Sequence, residues 1–268
     1  MGSWLRAGFA MLALAFLVDG GALRAQSIDA AAAKALAPTG HLRVGVYMGS
    51  PTSEVTDPET RQNHGVTYDL GREFAARLHV PVEYITFPRV AEVVEAIKDG
   101  KVDFTVTNAT PVRAKDVNFS QTLLEVELGY LVPANSPITK PEQIDGPGIR
   151  IGVSKGGTSE RVLGEKYKNA KIISTESVPD AIRSLRDGVF DVYATNKSIL
   201  FQMAQSLPGA RVLDASWGAE HMAIAVPKGR ESAQAALDSF VREVQGSGRL
   251  REIETVAGLK GAVSTAKP

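Results

Sequence analysis

The chain has 268 residues with 30 basic and 30 acidic side chains, and 44% of its residues are hydrophobic. Balanced charge removes the basic excess that a nucleic-acid or polybasic membrane-surface binder needs, and the apolar content is too high for disorder. The sequence has no Cys, which excludes disulfides and thiolate chemistry; His41, His64, His79 and His221 show no metal-ligand spacing, so neither metal nor cofactor is expected.

The chain opens with Arg6, an uncharged apolar run from Ala7 to Val18 and a small-residue stretch from Asp19 to Ala25. That order predicts a cleaved signal peptide over residues 1–25. The run is about 12 residues long, too short to span a bilayer. Cleavage after Ala25 is expected, with Ala22 as the rival, and with no Cys present no lipid anchor follows.

The rest contains an internal echo. Leu42-Arg43-Val44-Gly45-Val46 returns as Ile149-Arg150-Ile151-Gly152-Val153. The segment from Ala96 to Asn108, with Asp99-Gly100, Asp103 and a final Thr-Asn, returns as Ser184 to Asn196. Val90, Val93, Val94 and Ile97 lie at helical spacing, and Val102, Phe104 and Val106 alternate as a strand. Between them and the first strand, Leu70, Phe74 and Leu78 predict a helix, and Val82 and Tyr84 predict a strand. The later copy places Leu163 with Tyr167, then Ile172 with Ile173, in the same roles. Alternating strands and helices imply two α/β lobes, each a mostly parallel sheet flanked by helices.

Two extended runs, Leu128 to Pro133 and Ala223 to Val226, predict a pair of hinge crossings. The expected division is residues 26–131 for the first part of lobe 1, 132–224 for lobe 2, and 225–268 returning to lobe 1. In the last part, Leu237, Phe240, Val241 and Val244 form a helical stripe. Ligands of open parallel sheets bind beyond the carboxyl ends of strands. Asn108 and Asn196 end strands in both copies, and Tyr47 and Ser154 stand at the ends of the echoed first strands. If the lobes face each other, these ends line one cleft.

An ordered set of motifs now carries a resemblance. It includes Leu42-Arg43-Val44-Gly45-Val46, Gly65-Val66-Thr67-Tyr68-Asp69-Leu70 and Asp99-Gly100-Lys101-Val102-Asp103. It continues with Thr110-Pro111-Val112-Arg113-Ala114-Lys115-Asp116, then Gly152-Val153-Ser154-Lys155-Gly156-Gly157-Thr158, and Ala223-Ile224-Ala225-Val226-Pro227-Lys228-Gly229. From about His41 to Leu259 the chain resembles a bacterial extracellular solute-binding protein of family 3, the polar amino-acid type that feeds ABC importers. The resemblance implies a two-lobed type II periplasmic binding fold, a periplasmic location, a monomer, and a membrane ABC permease as partner.

By position, Arg113 matches the family arginine that grips the ligand carboxylate, a task suited to a planar guanidinium. Asn108 matches a polar contact to the same group, and Thr158 a contact from a helix start, where free N–H groups favour an anion. Tyr47 and Arg89 complete the expected ligand contacts. Arg89 falls near the position where many relatives place a stacking aromatic, with Val90 at the position itself. Asn196 stands where the family usually has an acid that pairs with an α-ammonium. A pocket with Arg113 and Arg89 and no acidic partner therefore suits a small organic anion without an amino group.

Two enzyme readings compete. Gly152-Val153-Ser154-Lys155-Gly156 is a literal G-x-S-x-G, with Asp191, Asp214 and His221 downstream in the order of a hydrolase triad. The echo explains its glycines without catalysis. Some relatives on this fold are cyclohexadienyl dehydratases, which need a general acid; Asn196 cannot be one. A binder with no catalytic residues is the expectation.

Overall fold

The computed structural model describes residues 30–263, so the segment read as a signal peptide lies outside the described residues. In chain order the elements begin with α1 (Ala30–Leu36), β1 (Leu42–Tyr47), the short strands β2 (Val55–Thr56) and β3 (Asn63–His64), α2 (Val66–Arg77), β4 (Val82–Phe87), α3 (Val90–Lys98) and β5 (Thr105–Asn108). The long strand β6 (Val117–Val132) leads to β7 (Arg150–Ser154), α4 (Thr158–Lys166), β8 (Lys171–Thr175), α5 (Val178–Arg186), β9 (Val192–Asn196) and α6 (Lys197–Gln205). The chain closes with β10 (Arg211–Val212), β11 (Gly218–Pro227), α7 (Gln234–Gly246), α8 (Arg249–Val256) and β12 (Ala262–Val263). Among the described residues no helix is long and apolar enough to cross a membrane.

The echo in sequence is an echo in topology. β1 pairs β4 in parallel, and a bridge from Val44 to Phe104 ties β1 toward β5. β7 likewise pairs both β8 and β9 in parallel. Each three-strand unit is then flanked by an antiparallel strand, β11 beside β5 and β6 beside β9. The flanking strands β6 and β11 also pair with each other, joining both units. Both exceed the expected runs. β6 starts at Val117 and β11 at Gly218 because the two form a continuous antiparallel ladder, which periodicity in either strand alone does not reveal.

The repeated Arg–Asp pair fastens each unit. The backbone N–H and guanidinium of Arg43 donate to Asp103, at 2.8–3.1 Å, and those of Arg150 donate to Asp191, at 2.7–3.1 Å.

Packing defines two lobes. In the first, Val44, Phe74, Phe104 and Val126 share a core with α7, whose Leu237, Phe240, Val241 and Val244 return to it as the helical stripe predicts. The Phe74 ring lies 4.8 Å from that of Phe240 and 5.6 Å from that of Phe104, and such ring pairs contribute about 0.5–1.5 kcal/mol beyond burial. In the second, Tyr130, Val132, Ile151, Leu163 and Val192 pack with Trp217. β6 thus passes from one core to the other between Val126 and Tyr130. A further apolar cluster brings Tyr47 and Val93 of the first lobe together with Val178, Tyr193 and Ile199 of the second.

Candidate functional site

The strand ends face one another across a cavity of about 40 Å³, roughly the space of one water molecule. A larger guest requires the lobes to part. Tyr47, Arg89, Asn108, Arg113, Thr158 and Asn196 all line this cavity. The structure brings together all six residues singled out in the sequence.

Arg113 enters from a short 3-10 turn, Arg113–Lys115, just after β5. Its Nη1 donates to Thr107 Oγ1 at 2.7 Å and to the Asn108 carbonyl at 3.3 Å. Among the described residues it forms no ion pair, and desolvation pushes its pKa down, with Glu220 opposing that shift. Arg113 is half-buried, and a cation partly withdrawn from water with no carboxylate bonded to it favours an incoming anion.

The two strand-end amides have their orientations fixed by backbone donors. His221 N donates to Asn108 Oδ1 at 3.0 Å, so the Asn108 NH₂ is free to donate to Thr158 Oγ1 at 3.1 Å, across the lobes. Ile199 N donates to Asn196 Oδ1 at 3.1 Å, capping α6, and the Asn196 NH₂ donates to Glu220 Oε2 at 2.8 Å. An N–H must face an oxygen, which settles which end of each amide points at the cavity.

Helix starts supply the rest. The first turns of α3, α4, α5 and α6 all contribute lining residues. α5 and α6 are capped by their own Ser177 and Asn196 side chains, whereas α4 starts at Gly157 with no side-chain cap. Thr158 is therefore the first helical residue, not the cap, and the N–H groups of that turn are left for another acceptor.

Arg89 and Tyr47 line the cavity but are already engaged. The Arg89 guanidinium pairs with Glu92 at 2.7 Å along α3 and with Glu176 of the second lobe. The Tyr47 hydroxyl donates to Ser50 Oγ at 3.2 Å, and burial raises its pKa.

One functional residue escapes the sequence reading. The expected absence of an acid is corrected by Glu220, which is buried and lines the cavity. Strand alternation was the available signal. Glu220 is in phase with buried Met222, Ile224 and Val226 of β11, and an acidic residue in a buried stripe is unusual. His221 is one residue out of phase; its exposed ring meets Glu125 Oε1 at 3.0 Å. The hydrolase order found in sequence is thus not assembled in space, since His221 pairs with Glu125 and Asp191 with Arg150.

The geometry can be set against known proteins. The model for bacterial extracellular solute-binding proteins, family 3, matches residues 42–256. The chain is 24% identical over 213 residues to the ABC transporter glutamine-binding protein GlnH of Bacillus subtilis, a match covering 78% of each chain. It is 28% identical over 176 residues to the membrane-bound lytic murein transglycosylase F of Aeromonas hydrophila, covering 63% of this chain and 34% of that protein. Among solved structures, the solute receptor for L-cysteine of Neisseria gonorrhoeae superposes with a TM-score of 0.76 at 26% identity, covering 88% of this chain and 97% of that one. The arrangement of two α/β lobes joined by extended crossings, with strand ends converging on one cavity, is the two-lobed fold of these binding proteins. The chain belongs to the bacterial extracellular solute-binding proteins of family 3.

Proposed function

We propose that the protein captures a small carboxylate-bearing solute between its lobes and delivers it to a membrane ABC permease. The observation that carries this reading is Arg113, a desolvated guanidinium without an ion pair that faces the interlobe cavity. Its planar fork takes one carboxylate through two parallel bonds, while Thr158 and the uncapped start of α4 meet the same group from the other lobe. Asn108, which already bridges toward Thr158, and Asn196 complete the polar wall. Tyr47 and Arg89 act as walls: the Tyr47 hydroxyl and the Arg89 Nη1 are held by the protein, while the buried Arg89 Nε has no hydrogen-bond partner among the described residues.

No covalent chemistry is required. A ligand touched by both lobes binds the closed form better than the open one, and that difference alone shifts the population toward closure. The relatives named for glutamine and L-cysteine support an amino acid or a similar compact anion. In this reading the protein is exported to the periplasm by cleavage of residues 1–25 and works as a monomer. On the same reading the chain changes lobe between Val126 and Tyr130 on β6 and between Trp217 and Met222 on β11, a few residues before the expected boundaries at 131/132 and 224/225.

A dehydratase on the same fold is the second reading, favoured by the carboxyl of Glu220 in the cavity. It requires turnover of a cyclohexadienyl acid to an aromatic product. The binding reading predicts no aromatic absorbance growing in with time.

Isothermal titration with amino acids and simple carboxylates tests the proposal. Arg113→Ala should fold normally yet weaken binding about 100-fold or more, the effect of removing a charge-assisted pair from a buried site. Unchanged affinity in the Ala variant would reject it.

A further inference from the structure

The cavity carries opposite charges on different walls. Arg113 stands on the 3-10 turn after β5, and Glu220 on β11 faces the same space. The two are close enough to influence each other, since Glu220 raises the pKa of Arg113 and both act on Tyr47, yet they form no ion pair with each other among the described residues. The separation is built in. Arg113 is tied back to Thr107 and the Asn108 carbonyl, and Glu220 is tied to the Asn196 amide. Asn196 is itself anchored by Ile199 N, so the Glu220 carboxylate cannot swing toward Arg113 without losing a 2.8 Å bond.

A simple monocarboxylate fits this cavity badly. Its charge would satisfy Arg113 and leave Glu220 enclosed without a cation, and an enclosed unpaired charge is costly. A zwitterion answers both walls, with its carboxylate toward Arg113 and its ammonium toward Glu220. Discrimination then comes from the unsatisfied group in the wrong complex as much as from contacts in the right one.

We infer that Glu220, oriented by Asn196, is the specificity-determining residue of this site and makes a ligand ammonium group obligatory. This inference rests on the carboxylate-capture reading of Arg113. Asn196 is a positioning residue: it acts through Glu220 and through the start of α6, and its neutral amide avoids setting two carboxylates side by side.

The test is isothermal titration of the purified chain with the twenty standard L-amino acids, and with the 2-hydroxy acid matching each amino acid that binds. The wild type should bind at least one amino acid and bind its hydroxy analogue at least about tenfold more weakly. Glu220→Gln keeps the shape and the contact to Asn196. It should lose roughly tenfold or more for the amino acid while leaving the hydroxy acid unchanged or tighter. The double variant Asn196→Asp with Glu220→Gln returns the charge to the neighbouring strand end and should recover part of the loss. Equal losses for both ligand classes in Glu220→Gln, no loss at all, or a double variant no better than Glu220→Gln would overturn the inference. Arg113→Ala separates the two claims: it should abolish both ligand classes. Retained binding of the hydroxy acid there would reject the carboxylate reading itself, and a wild type that binds none of the twenty amino acids rejects the ammonium requirement.

Discussion

The two copies of the repeated unit share a plan and differ in what surrounds it. Arg43–Asp103 and Arg150–Asp191 are the same bidentate pair at the same topological place. Yet the Asp103 side chain is fully buried and also accepts from Arg230 at 2.7 Å, whereas the Asp191 side chain is 33% exposed. The first lobe contains the returning C-terminal segment, and that segment closes over the pair; the second lobe has no such cover. The strand-end amides diverge in the same way. Asn108 spends its NH₂ on the facing lobe, and Asn196 spends its own on Glu220. A repeat therefore fixes where a polar group sits, and the flanking chain decides what it does.

The largest expected effect breaks the structural half of that comparison. Asp103→Ala leaves Arg43 and Arg230 without their shared carboxylate, and removing one partner from a buried ionic cluster costs about 3–5 kcal/mol. Asp191→Ala should cost only a small fraction of that, because water replaces the lost partner. Denaturant unfolding of both variants checks the ranking, and equal losses would show that the difference in burial does not matter. The acid limb sharpens it. The hydrogen bonds from Arg150 hold the Asp191 carboxyl below the usual carboxylate range. Its contribution is therefore present above that range and fades as pH falls through the lowered value. Asp191→Asn should flatten the loss of stability below about pH 4.

A middle effect tests the approach of the lobes. Gly49 and Gly156 follow β1 and β7 at echoed positions, with φ of 84° and 70°. A Cβ on Gly156 would lie 2.6 Å from that of Ala91 in α3, and one on Gly49 would lie 3.0 Å from that of Val178 in α5. Each lobe presses a glycine against the opposite helix start. Ala at either site carries the positive-φ cost, about 1 kcal/mol, in both open and closed forms, but the clash arises only on closure. Gly156→Ala should weaken ligand binding about tenfold with a modest fall in apo melting temperature, and Gly49→Ala should do so less. Titration and thermal melts of the apo protein separate the two costs.

The smallest effect concerns Glu176, which reaches Arg89 across the cleft and Lys155 at 2.7 Å within its own lobe. Hydrogen bonding from Lys155, then the charge of Arg89, lowers its pKa. Exposed pairs contribute little and are screened by salt. Glu176→Gln should weaken binding less than threefold or so at low salt and not at all at high salt. The same contribution should vanish in the wild type as pH drops below the usual carboxylate range.

Much of this was legible in the chain. The echoed Arg–Asp spacing, the Asp-Gly turns and the terminal Thr-Asn pairs named both lobes and both cavity-facing amides, because local periodicity and strand ends are encoded locally. Glu220 was not legible in practice, because the first half of β11 lacks the apolar run that marks a strand and the second half is buried on both faces. It is a strand there through pairing with β6, a partner distant in sequence. The cross-cleft contacts of Arg89 with Glu176 and of Gly156 with Ala91 were out of reach for a different reason. They depend on how the lobes meet, which no local pattern records.

The most direct test is a crystal structure of the protein with the tightest-binding compound from the titration panel. It should show the ligand carboxylate held jointly by the Arg113 guanidinium and the start of α4, with an ammonium group within hydrogen-bonding distance of Glu220. A ligand seated away from Arg113, or an Arg113 side chain turned out to solvent with the ligand in place, would contradict the account.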